Sequence, residues 1–176
     1  MHWAKILGAA KIIALDPHDH RLEFCKRNIC SNIITVNVSK QDAVKTVQQL
    51  APNGPDVCID AVGFSHARSL FHRFQRAVKL ETDTPEILYQ CIYLVRKGGI
   101  VSVIGDYYST ANQFPIGPFM EKGLTMRGGP VHLQSLWPKL MEAVKSGIHV
   151  FTRHECCACV CVCVCVCVCV CVCVCV

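Results

Sequence analysis

The sequence predicts an α/β domain built on a doubly wound parallel sheet, and three observations predict it. Short apolar runs rich in β-branched residues recur between Met1 and Glu155, and stretches with helical periodicity separate them. The first run, Lys11-Ile-Ile-Ala-Leu-Asp16, closes on an acid followed by a helix start, the pattern of the second strand of a dinucleotide-binding unit. Strands alternating with helices at this cadence bury both faces of one sheet.

Ala4 to Leu7 reads as the last turns of a helix stopped by Gly8, and Lys11 to Leu15 as a strand. Pro17 suits a helix entrance, and His18 to Asn28 carries Leu22 and Cys25 at helical spacing. Asn32 to Asn37 is a second strand. Lys40 to Leu50 places Ala43, Val44, Val47 and Leu50 on one helical face before Pro52-Asn-Gly-Pro55 breaks it. Asp56 to Asp60 is a third strand that turns out through Ala61-Val62-Gly63. Ser65 to Leu80 reads as helical and Glu81 to Thr84 as a polar loop. A helix from Pro85 through Leu94 ends at Lys97-Gly98-Gly99, a basic last turn and a glycine stop. Ile100 to Gly105 is the fourth strand. A loop containing Pro and Gly leads to a fifth at Leu124 to Arg127, and Leu133 to Ser146 is a final helix ended by Gly147.

Beyond Glu155 the composition changes. From Cys159 to Val176 the chain is an uninterrupted Cys-Val alternation, and Cys156 to Val176 holds eleven of the fifteen cysteines. The other four, Cys25, Cys30, Cys58 and Cys91, show no C-x-x-C spacing and read as buried thiols of a reduced, cytoplasmic protein. Residues 1–155 therefore form one domain, and 156–176 form a low-complexity tail that is not a domain. A thymine-guanine dinucleotide repeat encodes Cys-Val in any reading frame, which explains the tail without any requirement at the level of the protein. Two functional readings stand beside it. The tail matches the length of about 20 apolar residues that spans a bilayer, although Val and Cys form helices poorly and basic flanks are sparse. Extended, it would also align thiols at roughly 7 Å intervals as a comb for soft metals. Both are weaker than the genetic reading.

The net charge of +5 is spread along the chain, and Arg73, Arg76 and Lys79 form the only loose basic group, so a nucleic-acid partner is not expected. The opening residues lack the layout of a signal peptide.

Several motifs are more specific than periodicity. Ala4-Lys-Ile-Leu-Gly-Ala-Ala10, Ile12-Ile-Ala-Leu-Asp16, Arg21-Leu-Glu23, Asp56-Val-Cys-Ile-Asp-Ala-Val-Gly63 and Val95-Arg-Lys-Gly-Gly-Ile-Val-Ser-Val-Ile-Gly105 together resemble the Rossmann-type cofactor domain of zinc-type medium-chain alcohol dehydrogenases. Lys79-Leu-Glu-Thr-Asp-Thr-Pro85, Phe114-Pro-Ile-Gly117 and Lys122-Gly-Leu-Thr-Met-Arg127 resemble the branch of glutathione-independent formaldehyde dehydrogenases and threonine-dehydrogenase-like enzymes. The resemblance covers Met1 to Glu155. It implies NAD as cofactor, with zinc in the parent enzymes, a small alcohol or aldehyde as substrate, and homo-oligomeric parents.

By that resemblance Asp16 binds the adenosine ribose and repels the extra phosphate of NADP, and Arg21 lies beside the adenine or ribose. Val62 and Gly63 follow the cofactor at the end of the third strand, while Ile104, Gly105 and Asp106 meet the nicotinamide. Gly129 lies on the nicotinamide side, although relatives often carry Gln in that segment. An Asp before Pro17 could equally serve as a helix cap, and each glycine could be a plain turn former.

The catalytic zinc ligands of the family belong to an amino-terminal domain without counterpart in these residues, so no catalytic or metal-binding residue is assigned. The first strand and its G-x-G-x-x-G turn are missing as well. With strand order 3-2-1-4-5-6 the expectation is a truncated Rossmann sheet with two unpartnered interior edges, marginal stability, and NAD bound poorly or not at all. The implied function is that of a fragment, inactive by itself, of an NAD-linked alcohol or formaldehyde dehydrogenase. The alternative is a non-catalytic nucleotide-binding or tail-anchored membrane protein.

Overall fold

The computed structural model describes residues 1–28, 33–62, 85–105, 107, 113–129, 133–146 and 170–175. Six strands form one sheet: β1 Lys11–Asp16, β2 Ile34–Asn37, β3 Val57–Ala61, β4 Ile100–Val103, β5 Thr125–Gly128 and β6 Val170–Cys175. The helices are α1 His2–Ile6, α2 Asp19–Asn28, α3 Ala43–Leu50, α4 Glu86–Leu94, α5 Ile116–Glu121 and α6 Leu133–Lys145. The expected helix at Ser65 to Leu80 and the loop at Glu81 to Thr84 lie outside the described residues.

Alternation along β1 separates the two faces of the sheet. Ile13 and Leu15 join Val36, Cys58 and Val101 beneath Val47 of α3 and Leu88, Cys91 and Ile92 of α4. Ile12 and Ala14 face the other way, onto Leu22 of α2 and Ala4 of α1. Helices therefore cover both faces, as near-continuous apolar strands require. Local chemistry positions them. Asp42 caps α3 by accepting a 2.9 Å hydrogen bond from the Lys45 amide. At the far end of α4, the Lys122 ammonium donates to the carbonyls of Ile92, Tyr93 and Val95 at 3.1, 2.7 and 3.0 Å, satisfying acceptors that the helix leaves open. Burial lowers the pKa of this Lys. Gly54 has φ +82° and passes so close to α4 that a Cβ would lie 2.5 Å from the Leu94 carbonyl oxygen.

Two elements depart from expectation. Ile116 to Glu121 is a short helix where a loop was expected, because Pro115 and Pro118 sit at its entrance and in its first turn, where a missing N–H costs nothing. The larger departure is the centre of the sheet. The strand order is β2-β1-β6-β3-β4-β5, so the interior edges of β1 and β3 are not open. The Cys-Val tail fills the gap with β6, antiparallel to both neighbours. Ile13 and Cys58 flank Cys173, and Leu15 and Asp60 flank Cys171. All other pairings are parallel. The expectation of two unpartnered edges is thus corrected. Its physical cause is plain: two exposed edges demand hydrogen-bond partners, and an uncharged, valine-rich, period-two segment meets that demand.

Candidate functional site

The carboxyl ends of β1, β2, β3 and β4 share one edge of the sheet, where an open α/β sheet binds its ligands. Two polar clusters stand there, on either side of β6.

The first is built on Asp16, the last residue of β1. It is only 1% exposed, and its Oδ1 accepts a 2.7 Å hydrogen bond from the His18 amide, so the carboxylate turns the chain into α2. Arg21, in the first turn of that helix, brings Nη1 to 3.5 Å from Asp16 Oδ2. Both of these atoms are buried, and neither makes a hydrogen bond. Asn37 closes the neighbouring strand, donating to Asp19 Oδ1 at 2.6 Å and accepting from the Ser39 amide at 2.9 Å. Lys40 lies 2.7 Å from the other Asp19 oxygen, and its hydrogen bond, with that from Asn37, holds the Asp19 carboxyl below the usual range.

The second cluster surrounds Asp60, which is fully buried near the end of β3. Its Oδ1 accepts from the Val62 amide at 3.0 Å and its Oδ2 from the Tyr107 hydroxyl at 2.7 Å. The Ile104 and Gly105 amides both donate to the Asp60 carbonyl at 2.8 Å. Burial pushes the Asp60 carboxyl up, and the hydrogen bonds from Tyr107 and Val62 only partly oppose it. A Cβ on Gly105 would stand 2.7 Å from the Val62 carbonyl oxygen, so glycine here permits β3 and β4 to exit side by side.

Of the residues singled out from sequence, Asp16 and Arg21 come together, as do Val62, Ile104 and Gly105. Gly129 lies apart, beyond edge strand β5, with open space where a Cβ would be and φ +128°. Gly63 and Asp106 are outside the described residues. Sequence reasoning missed Asp60 and Tyr107 as a unit. The available signal was an acid inside an otherwise apolar strand, two residues before the Val62-Gly63 turn.

A family model described as zinc-binding dehydrogenase matches residues 1–79. A zinc-type alcohol dehydrogenase-like protein of Schizosaccharomyces pombe is 39% identical over 145 residues, 82% of this chain and 34% of its own. One from Bacillus subtilis is 30% identical over the same length, covering 38% of its own chain. Over most of its length the chain is similar to zinc-type alcohol dehydrogenases. The alcohol dehydrogenase of Thermus sp. ATN1 superposes with TM-score 0.63 at 26% identity, over 83% of this chain and 36% of that one. The 2R,3R-butanediol dehydrogenase of Bacillus subtilis, 20% identical with TM-score 0.63, shares the fold. The chain thus spans about a third of the length of the alcohol dehydrogenases it matches. Among the described residues no helix is long and apolar enough to cross a membrane, and no three His, Cys, Asp or Glu side chains converge on a metal-sized site.

Proposed function

We propose that these residues are the cofactor-binding part of an NAD-linked zinc-type dehydrogenase acting on a small alcohol or aldehyde, of the formaldehyde-dehydrogenase-like branch. The single observation that carries the reading is the hydrogen-bonding capacity left at Asp16 and Arg21. Asp16 Oδ2 and Arg21 Nη1, paired by charge at 3.5 Å but not hydrogen-bonded, leave an acceptor and a donor unsatisfied at the carboxyl end of a strand beside the fold's switch point. Adenosine ribose fits them: its hydroxyls donate to Asp16 Oδ2, and Arg21 lies beside the ring. The negative charge of Asp16 disfavours the phosphate of NADP. Val62 and Gly63 are assigned along the cofactor, and Ile104, Gly105, Asp106 and Gly129 to the nicotinamide side, with Asp60 and Tyr107 fixing the two strand exits.

The pyrophosphate is served less well. A parallel strand in the β6 position would leave the sheet at this edge and lead into a helix N-terminus. β6 runs the other way and starts here. With two or three charge-assisted hydrogen bonds of about 1.5–3 kcal/mol absent, NAD affinity falls by roughly a hundredfold or more relative to a family member with the glycine-rich turn. When bound, NAD supplies hydride acceptance. No zinc step is assigned to these residues, since among the described ones no three His, Cys, Asp or Glu side chains converge.

Calorimetric titration with NAD and NADP tests the proposal. Weak binding of NAD in preference to NADP, with the preference lost in Asp16→Ala, is expected. Identical NAD and NADP affinities in the unaltered chain would remove Asp16 from the ribose role.

A further inference from the structure

The register of the inserted strand sets two cysteines against each other. Cys173 of β6 is the direct partner of Cys58 on β3. Opposed residues of an antiparallel pair have Cα atoms about 4.5 or 5.5 Å apart, inside the roughly 4.4–6.8 Å range of disulfides. Cys58 is fully buried at the middle of the sheet. The repeat strengthens the juxtaposition, because every odd-numbered residue from Cys159 to Cys175 is cysteine. A slip of two residues exchanges one tail cysteine for another and keeps the faces of the strand unchanged. Cys25 lies on α2 and Cys91 on α4, helices that pack on the faces of the sheet, and neither stands in register with a residue of β6.

We propose that Cys58 and the tail cysteine opposite it, Cys173 in this register, form a cross-strand disulfide that latches the tail between β1 and β3. The oxidant is a small disulfide such as oxidised glutathione. A tail thiolate attacks it and releases one glutathione thiolate, leaving a mixed disulfide on the tail. The Cys58 sulfur, its proton passing to solvent, then attacks the tail sulfur and expels the second glutathione. Two protein thiols are oxidised, one glutathione disulfide is reduced, and one S–S bond forms. Under reducing conditions the strand is held without a covalent tie and can leave; after oxidation it cannot.

The full chain, reduced and then exposed to oxidised glutathione under native conditions, would be alkylated, digested with trypsin and analysed without reduction. The expected product joins the peptide Thr46–Arg68 to His154–Val176. Cys58→Ser abolishes tail-to-body linkage, whereas Cys25→Ser and Cys91→Ser leave it intact. Two tail variants keep the test informative if Cys58→Ser does not fold. With all other tail cysteines changed to Ala, a tail retaining Cys173 should link to Cys58 at least tenfold more than one carrying Cys173→Ala and Val172→Cys, since residue 172 stands opposite Ile59 instead. Linkage spread evenly over Cys25, Cys58 and Cys91, or equal in the two tail variants, would overturn the latch.

Discussion

Proline substitution in the tail measures both the strength of the inserted strand and the freedom of its register. Val172 stands between Ala14 and Ile59 near the centre of the six-stranded sheet. Proline there removes one ladder hydrogen bond, worth about 1 kcal/mol, and leaves a neighbour's buried carbonyl unpartnered at about 1–3 kcal/mol. In a fixed register Val172→Pro therefore costs about 2–4 kcal/mol. The repeat offers an escape: sliding the tail by four residues seats Val166 to Cys171 with the same alternation. The connection from Ser146 shortens by four residues, which changes loop-closure entropy by only about 0.2 kcal/mol. Val172→Pro alone should thus cost under about 0.5 kcal/mol. Adding Val160→Pro and Val166→Pro leaves no proline-free run of six residues. The triple variant should then lose the full 2–4 kcal/mol, a fall of about 1–2 M in the urea midpoint read by far-UV circular dichroism. Hydrogen-exchange protection at Ala14 and Ile59 should fall with it. A triple variant that melts like the parent would show that the tail is not the central strand, and a full loss from Val172→Pro alone would show that the register is fixed.

Asp60 provides a pH test. Its folded pKa is raised, so between the unfolded value near 3.8 and the folded value the native state holds more protons than the unfolded state, and stability falls as pH rises through that window. Asp60→Asn keeps an acceptor for the Val62 amide and a polar partner for Tyr107; it should raise the thermal midpoint at neutral pH and give no gain below pH 3.8, as calorimetry across that range would reveal. Lys122→Ala removes the donor to three carbonyls of α4 and should cost about 2 kcal/mol in urea unfolding; an unchanged midpoint would mean that water replaces the ammonium without loss. Ile92→Ala empties a fully buried position against β3 and should cost about 2–5 kcal/mol by the same measurement.

Elements whose determinants are local were legible in the sequence. β1 announced itself by a β-branched run ending in Asp16, and α3 by its apolar face and the Pro52 break. Asp16 and Arg21 were placed at one ribose by the family resemblance, and the short strand-to-helix turn between them brings the two side chains together. The Asp60–Tyr107 hydrogen bond could not be read, since its partners are 47 residues apart and meet only after β3 and β4 align. The tail was legible as β-prone but not as a member of the sheet. Its repetition carries no register information, and its place depends on a vacancy created by two strands far away in the chain. The direction of β6 was beyond reach for the same reason, because an alternating apolar strand fits a buried slot either way round.

The position of β6 also dictates an order of events during synthesis. Every other strand of the sheet leaves the ribosome before Val170 does, yet β1 and β3 meet only through β6. Among the described strands, the pair β2-β1 and the trio β3-β4-β5 therefore share no ladder until β6 lies between them. Closure joins residues as far apart as Lys11 and Cys175, a connection whose loop is nearly the whole chain. The inner edges of β1 and β3 are thus open to mistaken strand partners whenever β6 is not in place.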